Sequence, residues 1–292
     1  MRVSRRNVLR GSTAALGAVA LPAWAVPRRS GALQVLPLLD AAGPFPLPAH
    51  QAFPGVDDGD WARAERVDPG AFGPDDVWRP AFRCFAVRRP GGRVTLVDTG
   101  VGPAGSPASG WAPTPGELPA RLARAGIGIT DVEAVVLTHL HSDHYGWSVL
   151  PDGAPVFPAA RYLVQRVEVS GLPADDPARS YVVEPLRGAG LLAEVDGRCR
   201  VRGRGGALTL VPTPGHTPGH QSVLVEGGRE EVWITGDVLV HAVQLVAPGT
   251  AYRYEADPGQ ARRSRLALLA SARRRRASLA TCHLHRPFVT VG

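Results

Sequence analysis

The stretch THLHSDHYGW, residues Thr138–Trp147, places three histidines and an aspartate within six positions of a chain that has only nine histidines. Imidazole rings gain little from lying side by side on a surface, and they are costly to bury without partners. Neutral imidazoles and carboxylates are, in contrast, the ligands that zinc, iron and manganese accept. The stretch therefore predicts a metal-binding turn.

The spacing inside this stretch suggests two metal positions. His139 and His141 are two residues apart, so in an extended turn they project to the same side and can share one cation. Asp143 and His144 follow where a helix is expected to begin, and they face a second position. Because two ligands rarely hold a metal, further ligands are expected at the ends of other strands or loops.

The segment before the cluster, Val132–His139, is rich in β-branched residues and predicts a buried strand that ends at these ligands. The region 41–80 is rich in proline, glycine and aspartate, and it predicts an irregular surface excursion. Helices are expected at 115–126 and at 257–276, the second with Asp257 as N-cap. Strands in both halves, with helices between them, indicate a layered α/β fold in one domain from Val26 to Gly292.

Three later segments offer further ligands in similar positions. PGHTPGH contributes His216 and His220, and WITGD contributes Asp237 directly after a predicted strand. The last predicted strand leads to CHLHRP, which contributes His283 and His285.

Five motifs in this order resemble the metallo-β-lactamase-fold superfamily of metallohydrolases. They are LVDTG at 96–100, THLHSDH at 138–144, PGHTPGH at 214–220, TGD at 235–237 and a final histidine after a strand. The resemblance covers most of the chain after the N-terminal segment. It implies a four-layer αβ/βα sandwich and a site for two divalent metal ions. Zinc is the preferred metal, with manganese or iron as alternatives.

The resemblance also assigns roles to individual residues. It implies a first metal site from His139, His141 and His216, and a second from Asp143, His144 and His283, with Asp237 bridging both. His283 is preferred over His285 because relatives place a proline four residues after the ligand, where this chain has Pro287. His220 is expected to be structural, and Asp98 is expected to orient a ligand or the nearby loop.

Such a site implies hydrolysis by a metal-bridging hydroxide that attacks a carbonyl or phosphoryl centre of an ester, lactone or phosphotriester. Asp143 and Asp237 are the candidates for proton transfer, and the sequence has no G-x-S-x-G motif to support a serine nucleophile. An iron-dependent oxidoreductase of the persulfide dioxygenase type remains the alternative, because iron accepts the same ligands.

The residues near the ligands are most similar to a branch that contains methyl parathion hydrolase and the acyl-homoserine lactonases. Trp147 stands where many relatives have glycine, and His241 and Gln244 shortly follow the bridging aspartate. These three residues are candidates for the substrate pocket, although His241 and Gln244 could equally be packing residues. The tyrosine that one lactonase subtype has three residues after that aspartate is replaced by Val240.

Residues 1–25 have the features of an export signal. Arg5 and Arg6 precede an uncharged apolar segment that ends in Ala23-Trp24-Ala25, so cleavage near Ala25 and a twin-arginine route to the periplasm or outside are expected. Loss of the four signal arginines lowers the formal charge from +7 to +3. We expect a small-molecule substrate, no nucleic-acid partner and no stable membrane insertion after cleavage. The sequence makes no prediction of oligomeric state.

Overall fold

Two mixed β-sheets form the centre of the fold, in a computed structural model that describes residues 27–291. The first sheet has the strand order β1-β2-β3-β4-β5-β6-β7. Its first four strands pair antiparallel and its last four pair parallel. The strands are β1 (Arg28–Ser30), β2 (Leu33–Ala42), β3 (Ala81–Arg88), β4 (Val94–Val97), β5 (Val132–Val136), β6 (Arg161–Gln165) and β7 (Leu192–Val195).

The second sheet has the order β13-β12-β11-β10-β9-β8, and only its β11–β12 pair is parallel. Its strands are β8 (Cys199–Gly203), β9 (Gly206–Pro212), β10 (Gln221–Glu226), β11 (Val232–Ile234), β12 (Ser278–Ala280) and β13 (Phe288–Thr290). The helices are α1 (Ala49–Ala52), α2 (Asp58–Val67), α3 (Leu118–Arg124), α4 (Ser142–Tyr145), α5 (Arg166–Gly171), α6 (Glu184–Gly188), α7 (Val243–Val246) and α8 (Pro258–Arg275).

Alternating side chains on the strands separate the layers, as the two-residue period of a strand requires. In β3, Phe85 and Val87 pack between the sheets, whereas Cys84 and Ala86 face the helices on the outside. In β10, Leu224 faces α8 and its neighbours face the first sheet. Leucines of α3 and α6 cover the outer face of the first sheet, and those of α8 cover the second. The predicted four-layer αβ/βα sandwich is therefore confirmed.

The prediction of an irregular excursion over 41–80 is wrong in part, because this region contains α1 and α2. The Asp57 carboxylate accepts a hydrogen bond from the Asp60 backbone N–H and caps α2. Of the ten residues in α2, only Trp61 and Ala64 are buried, so the apolar pattern is too sparse to indicate a helix. In contrast, α8 begins as predicted, with Asp257 accepting from the Gln260 N–H at 2.9 Å.

The signal peptide expected at 1–25 lies outside the described residues and stays a prediction. Within 27–291, no helix is both long enough and apolar enough to span a membrane. All three cysteines are free thiols, with Cys84 and Cys282 buried and Cys199 partly exposed.

A buried arginine joins α8 to the chain on both sides of α7. The Arg265 side chain is fully buried, pairs with the Glu255 carboxylate, and donates to the carbonyls of Val238 at 2.8 Å and Pro248 at 3.1 Å.

We expect Arg265→Ala to lower the free energy of unfolding by about 3–5 kcal/mol, because it leaves the Glu255 carboxylate buried without its partner. Urea denaturation measures this, and Arg263→Ala on the exposed face of α8 should change it by less than about 0.5 kcal/mol. Equal losses in the two variants would contradict the prediction.

Candidate metal centre

The predicted metal ligands all follow the carboxyl ends of strands at one edge of the two sheets. His139 comes three residues after β5, and His216 follows β9. Asp237 and His283 each come three residues after the ends of β11 and β12. The strands run so that these ends meet between the sheets, and the structure brings all seven residues named from the sequence into two adjoining groups.

The first group has three imidazoles around one point. The His141 Nδ1 lies 3.0 Å from His139 Nε2 and 2.9 Å from His216 Nε2. Asp237 Oδ2 closes the group, at 3.2 Å from His216 Nε2 and 3.9 Å from His139 Nε2. Three ring nitrogens and one carboxylate oxygen are a donor set that suits a tetrahedral zinc site.

The second group lies on the other side of the same aspartate. Asp237 Oδ1 is 3.0 Å from His283 Nε2 and 3.3 Å from His144 Nε2. Asp143 Oδ2 lies 3.4 Å from His144 Nε2 and 3.6 Å from His283 Nε2. Asp237 thus presents one oxygen to each group.

Hydrogen bonds between the ligands do not satisfy all of their donor atoms. His144 Nε2 and Asp237 Oδ1 are buried, and neither has a hydrogen-bond partner among residues 27–291. Buried polar atoms without partners are rare in native proteins and require an explanation such as a bound ion. Both groups of residues therefore fit metal ions.

Hydrogen bonds behind the ligands fix their ring orientations. Asp98 Oδ2 lies 2.9 Å from His144 Nδ1, and both carboxylate oxygens of Asp98 accept hydrogen bonds from Thr138. Thr138 Oγ1 in turn lies 3.0 Å from His139 Nδ1. His283 Nδ1 contacts the carbonyl oxygen of Ala81 at 2.9 Å. These contacts leave the Nε2 atom of each ring free to face the site.

His220 supports the bridging aspartate from behind. Its Nε2 accepts a hydrogen bond from the Asp237 backbone N–H at 2.9 Å, and its Nδ1 contacts Thr213 Oγ1 at 2.9 Å. Gly236 has φ +53°, and a Cβ there would lie 2.6 Å from His220 Nε2. Glycine is therefore required before Asp237, and the structural role expected for His220 matches its contacts.

Burial and neighbouring charges set the protonation of the ligands. Burial lowers the pKa of His141 to about 3 and also lowers the pKa of His139 well below its usual value, which keeps these rings neutral. Burial opposes the charged forms of His144 and Asp237, but neighbouring charges outweigh it. Asp237 and then Asp143 raise the pKa of His144. His283 and then His144 lower the pKa of Asp237.

A buried glutamate that the sequence analysis did not identify connects the two ligand-bearing loops. Glu168, in α5, accepts a hydrogen bond from the backbone N–H of Leu140 at 2.9 Å, between the ligands His139 and His141. Its other oxygen accepts from Thr217 Oγ1 and from the Gly219 N–H, both at 2.8 Å, in the loop that carries His216. Burial raises the pKa of this carboxyl. Only its position between Val167 and Val169 sets it apart in the sequence.

A cavity of about 480 Å³ opens above the ligands. Aromatic side chains form much of its wall: Phe45, Trp78, Phe82, Trp111, Tyr252 and Tyr254. His141, Asp143, His216, Asp237 and His283 form its floor.

The three pocket candidates from the sequence do not line this cavity, and the contacts of His241 and Gln244 match the packing alternative. The Trp147 indole donates to Asp40 at 3.1 Å. His241 is buried among the rings of Phe53, Trp61, Phe72 and Trp78, at 5.1–5.7 Å between ring centroids. Gln244 accepts from the Val240 N–H at 2.9 Å. His241 and Gln244 are close to Asp237 in the sequence, but in this segment Val240 faces the cavity and these two residues do not.

Two other histidines lie apart from the centre. His285 Nε2 contacts the carbonyl oxygen of Arg79 at 2.8 Å, which agrees with the choice of His283 over His285. His50 lies in α1, is exposed and pairs with Asp76.

The contacts of Glu168 predict an effect on metal affinity. In Glu168→Gln, the amide NH₂ must face either the Leu140 N–H or the Gly219 N–H, so one backbone donor loses its acceptor. We expect the first metal site to bind about 10–100-fold more weakly while the fold is retained. Competition with a chromophoric chelator measures the affinity. The exposed Glu184→Gln in α6 serves as control, and unchanged affinity in Glu168→Gln would rule out this role.

Comparisons with known proteins agree with this geometry. Over 113 residues the chain is 38% identical to the N-acyl homoserine lactonase AttM of Azorhizobium caulinodans, a match that covers 36% of this chain and 40% of the relative. It is 29% identical over 140 residues, 41% of each chain, to the probable metallo-hydrolase Rv2300c of Mycobacterium tuberculosis. The chain thus spans well under half the length of these relatives.

Two solved structures share the fold over nearly the whole chain. The hydrolase AbOPH of the beta lactamase superfamily superposes with a TM-score of 0.74 at 24% identity, covering 91% of this chain and 92% of that one. AidC, described as a dizinc quorum-quenching lactonase, superposes with a TM-score of 0.72 at 20% identity, covering 89% and 90%. Residues 83–278, more than half of the chain, match the family itself, and the protein belongs to the metallo-beta-lactamase superfamily.

Proposed function

We propose that the protein is a hydrolase that uses two divalent metal ions to cleave an ester, lactone or phosphotriester. Zinc is the preferred candidate for both ions. The main support for this proposal is the position of Asp237, because its two carboxylate oxygens face different ligand groups. An iron-dependent oxidoreductase with a single ion would leave the second group of ligands without a metal. The names of AttM and AidC as lactonases support a substrate of the ester type.

The first ion would be held by His139, His141 and His216, and the second by Asp143, His144 and His283, with Asp237 shared. Two bound divalent ions supply Lewis acidity and make water nucleophilic near neutral pH. The chain itself supplies the orientation of the ligands, through Asp98, Thr138 and His220. Asp143 and Asp237 line the cavity floor, where a carboxylate oxygen can accept the proton that the attacking water releases.

The two histidines of CHLHRP provide a matched test of the second site. We expect His283→Ala to lower the metal content of the purified protein from about two ions per chain towards one, and to reduce hydrolysis of an aryl ester, lactone and phosphotriester panel by more than about 100-fold. His285→Ala should retain both ions and the activity, because its ring points to Arg79. Elemental analysis of both variants measures the metal.

Two outcomes would contradict the proposal. Full activity in metal-free protein would exclude the two-metal mechanism. A single iron that His283→Ala leaves unchanged, with oxygen consumption on a persulfide substrate, would support the oxidoreductase instead.

We further propose that the protein is exported by the twin-arginine route and cleaved near Ala25. The arginine pair, the uncharged segment and the Ala-Trp-Ala site support this proposal. Replacing both Arg5 and Arg6 by lysine retains the charge and removes the pair, so we expect the variant to stay in the cytoplasm. Cell fractionation and the N-terminal sequence of the mature protein test this, and export of the variant at the normal level would contradict the route.

A further inference from the structure

The cavity wall is built from segments that are far apart in the chain. Phe45 lies between β2 and α1, Trp78 and Phe82 lie before and within β3, and Trp111 lies between β4 and α3. Tyr252 and Tyr254 come from the chain between α7 and α8. Four separate segments thus each contribute aromatic rings to one cleft, which we call the aromatic cleft.

The rings form a continuous wall from the ligands to the surface. The Phe82 ring lies 5.7 Å from that of His283, and the Trp111 ring lies 5.7 Å from Phe82. Phe45 then contacts Trp111 edge-on at 5.7 Å and Tyr254 at 6.1 Å. Tyr254 is 51% exposed and forms the outer end of the wall.

Tyr252 connects this wall to the first ligand group. Its ring lies 5.4 Å from that of Tyr254, and it is stacked on that of His216, with 6.0 Å between centroids and 12° between planes. The cleft is therefore lined by aromatic rings from the ligands to its outer end. Such surfaces bind a flat ring about 2- to 10-fold more tightly per contact than its buried area alone would give.

No arginine lines the aromatic cleft among residues 27–291, and the chain has no lysine. The carboxylates in its lining, Asp143 and Asp237, and its imidazoles are all assigned to the metals. Ser142 also lines it, but Ser142 Oγ already accepts a hydrogen bond from the Trp111 indole at 3.0 Å. An anionic group away from the reacting bond would therefore lose its hydration and gain no cationic partner.

We propose that the substrate is uncharged at the end remote from the scissile bond, and that this end is an aromatic or comparably flat group. This inference rests on the proposed hydrolase function and names the substrate class of the same site. The remote group lies against Phe45, Trp111 and Tyr254, while the scissile bond lies over the metal ligands.

A matched pair of esters tests the charge requirement. 4-Acetoxybenzamide and 4-acetoxybenzoate have almost the same shape and differ by one negative charge, which lies away from the scissile acetyl bond. We expect kcat/KM of the metal-loaded protein to favour the amide by about 10-fold or more, after each value is divided by the rate of uncatalysed hydrolysis. Equal values, or a preference for the benzoate, would overturn the inference and leave the hydrolase function standing.

Variants at the exposed end of the cleft separate charge from shape. Tyr254→Arg places a cation beside the remote group, so we expect it to raise kcat/KM for the benzoate and to reduce the preference for the amide towards equality. Tyr254→Phe keeps the ring and should retain the preference. A preference unaffected by Tyr254→Arg would show that the remote group does not lie in the aromatic cleft.

A binding measurement decides the ring preference without catalysis. We expect the metal-loaded protein to bind 2-naphthamide about 5-fold or more tightly than its saturated analogue decahydro-2-naphthamide in isothermal titration calorimetry, because only the flat ring can use the aromatic faces. Equal affinities would overturn the aromatic part of the inference. If no ester, lactone or phosphotriester is cleaved, the proposed function fails, and this titration still decides what the cleft binds.

Discussion

The shared carboxylate of Asp237 is the constraint on which the rest of the centre depends. Each of its oxygens faces a different group of imidazoles, so its position must be correct to within about 0.5 Å for both groups at once. The chain fixes it from behind, through the hydrogen bond from its backbone N–H to His220 and through the left-handed turn at Gly236. A side chain held only by its own rotamer would not meet two such requirements together.

The same principle explains the buried carboxylates around the centre. Asp98 holds His144 and Thr138, and Glu168 ties the loop of His139 and His141 to the loop of His216. Neither carboxylate lines the cavity, and both are buried at a cost that their hydrogen bonds offset. They act by limiting where the ligands can be, a role that accounts for carboxylates in an otherwise apolar interior.

Local signatures predicted the layered α/β fold and the metal-binding turn, whereas the grouping of the seven ligands into two sites came from the resemblance of five motifs to a known family. β-Branched runs predict buried strands, and the ligands stand directly after those runs, where strand ends meet. The aromatic cleft and the role of Glu168 have no such signature. Tyr252 and Phe45 are more than two hundred residues apart, and only the packing of the loops brings them to one wall. For His241 and Gln244 the sequence left lining and packing open, and proximity in sequence to Asp237 does not place them in the wall of the cavity.

The distribution of the ligands over both sheets has a further consequence for folding. His139, His141 and His144 follow a strand of the first sheet, whereas His216, Asp237 and His283 follow strands of the second. An ion bound between them acts as a clamp that holds the two halves of the sandwich together at one edge. Each tenfold rise in free metal above the dissociation constant then adds about 1.4 kcal/mol per site to the free energy of unfolding. The thermal stability of the protein is thereby linked to the metal supply of its compartment.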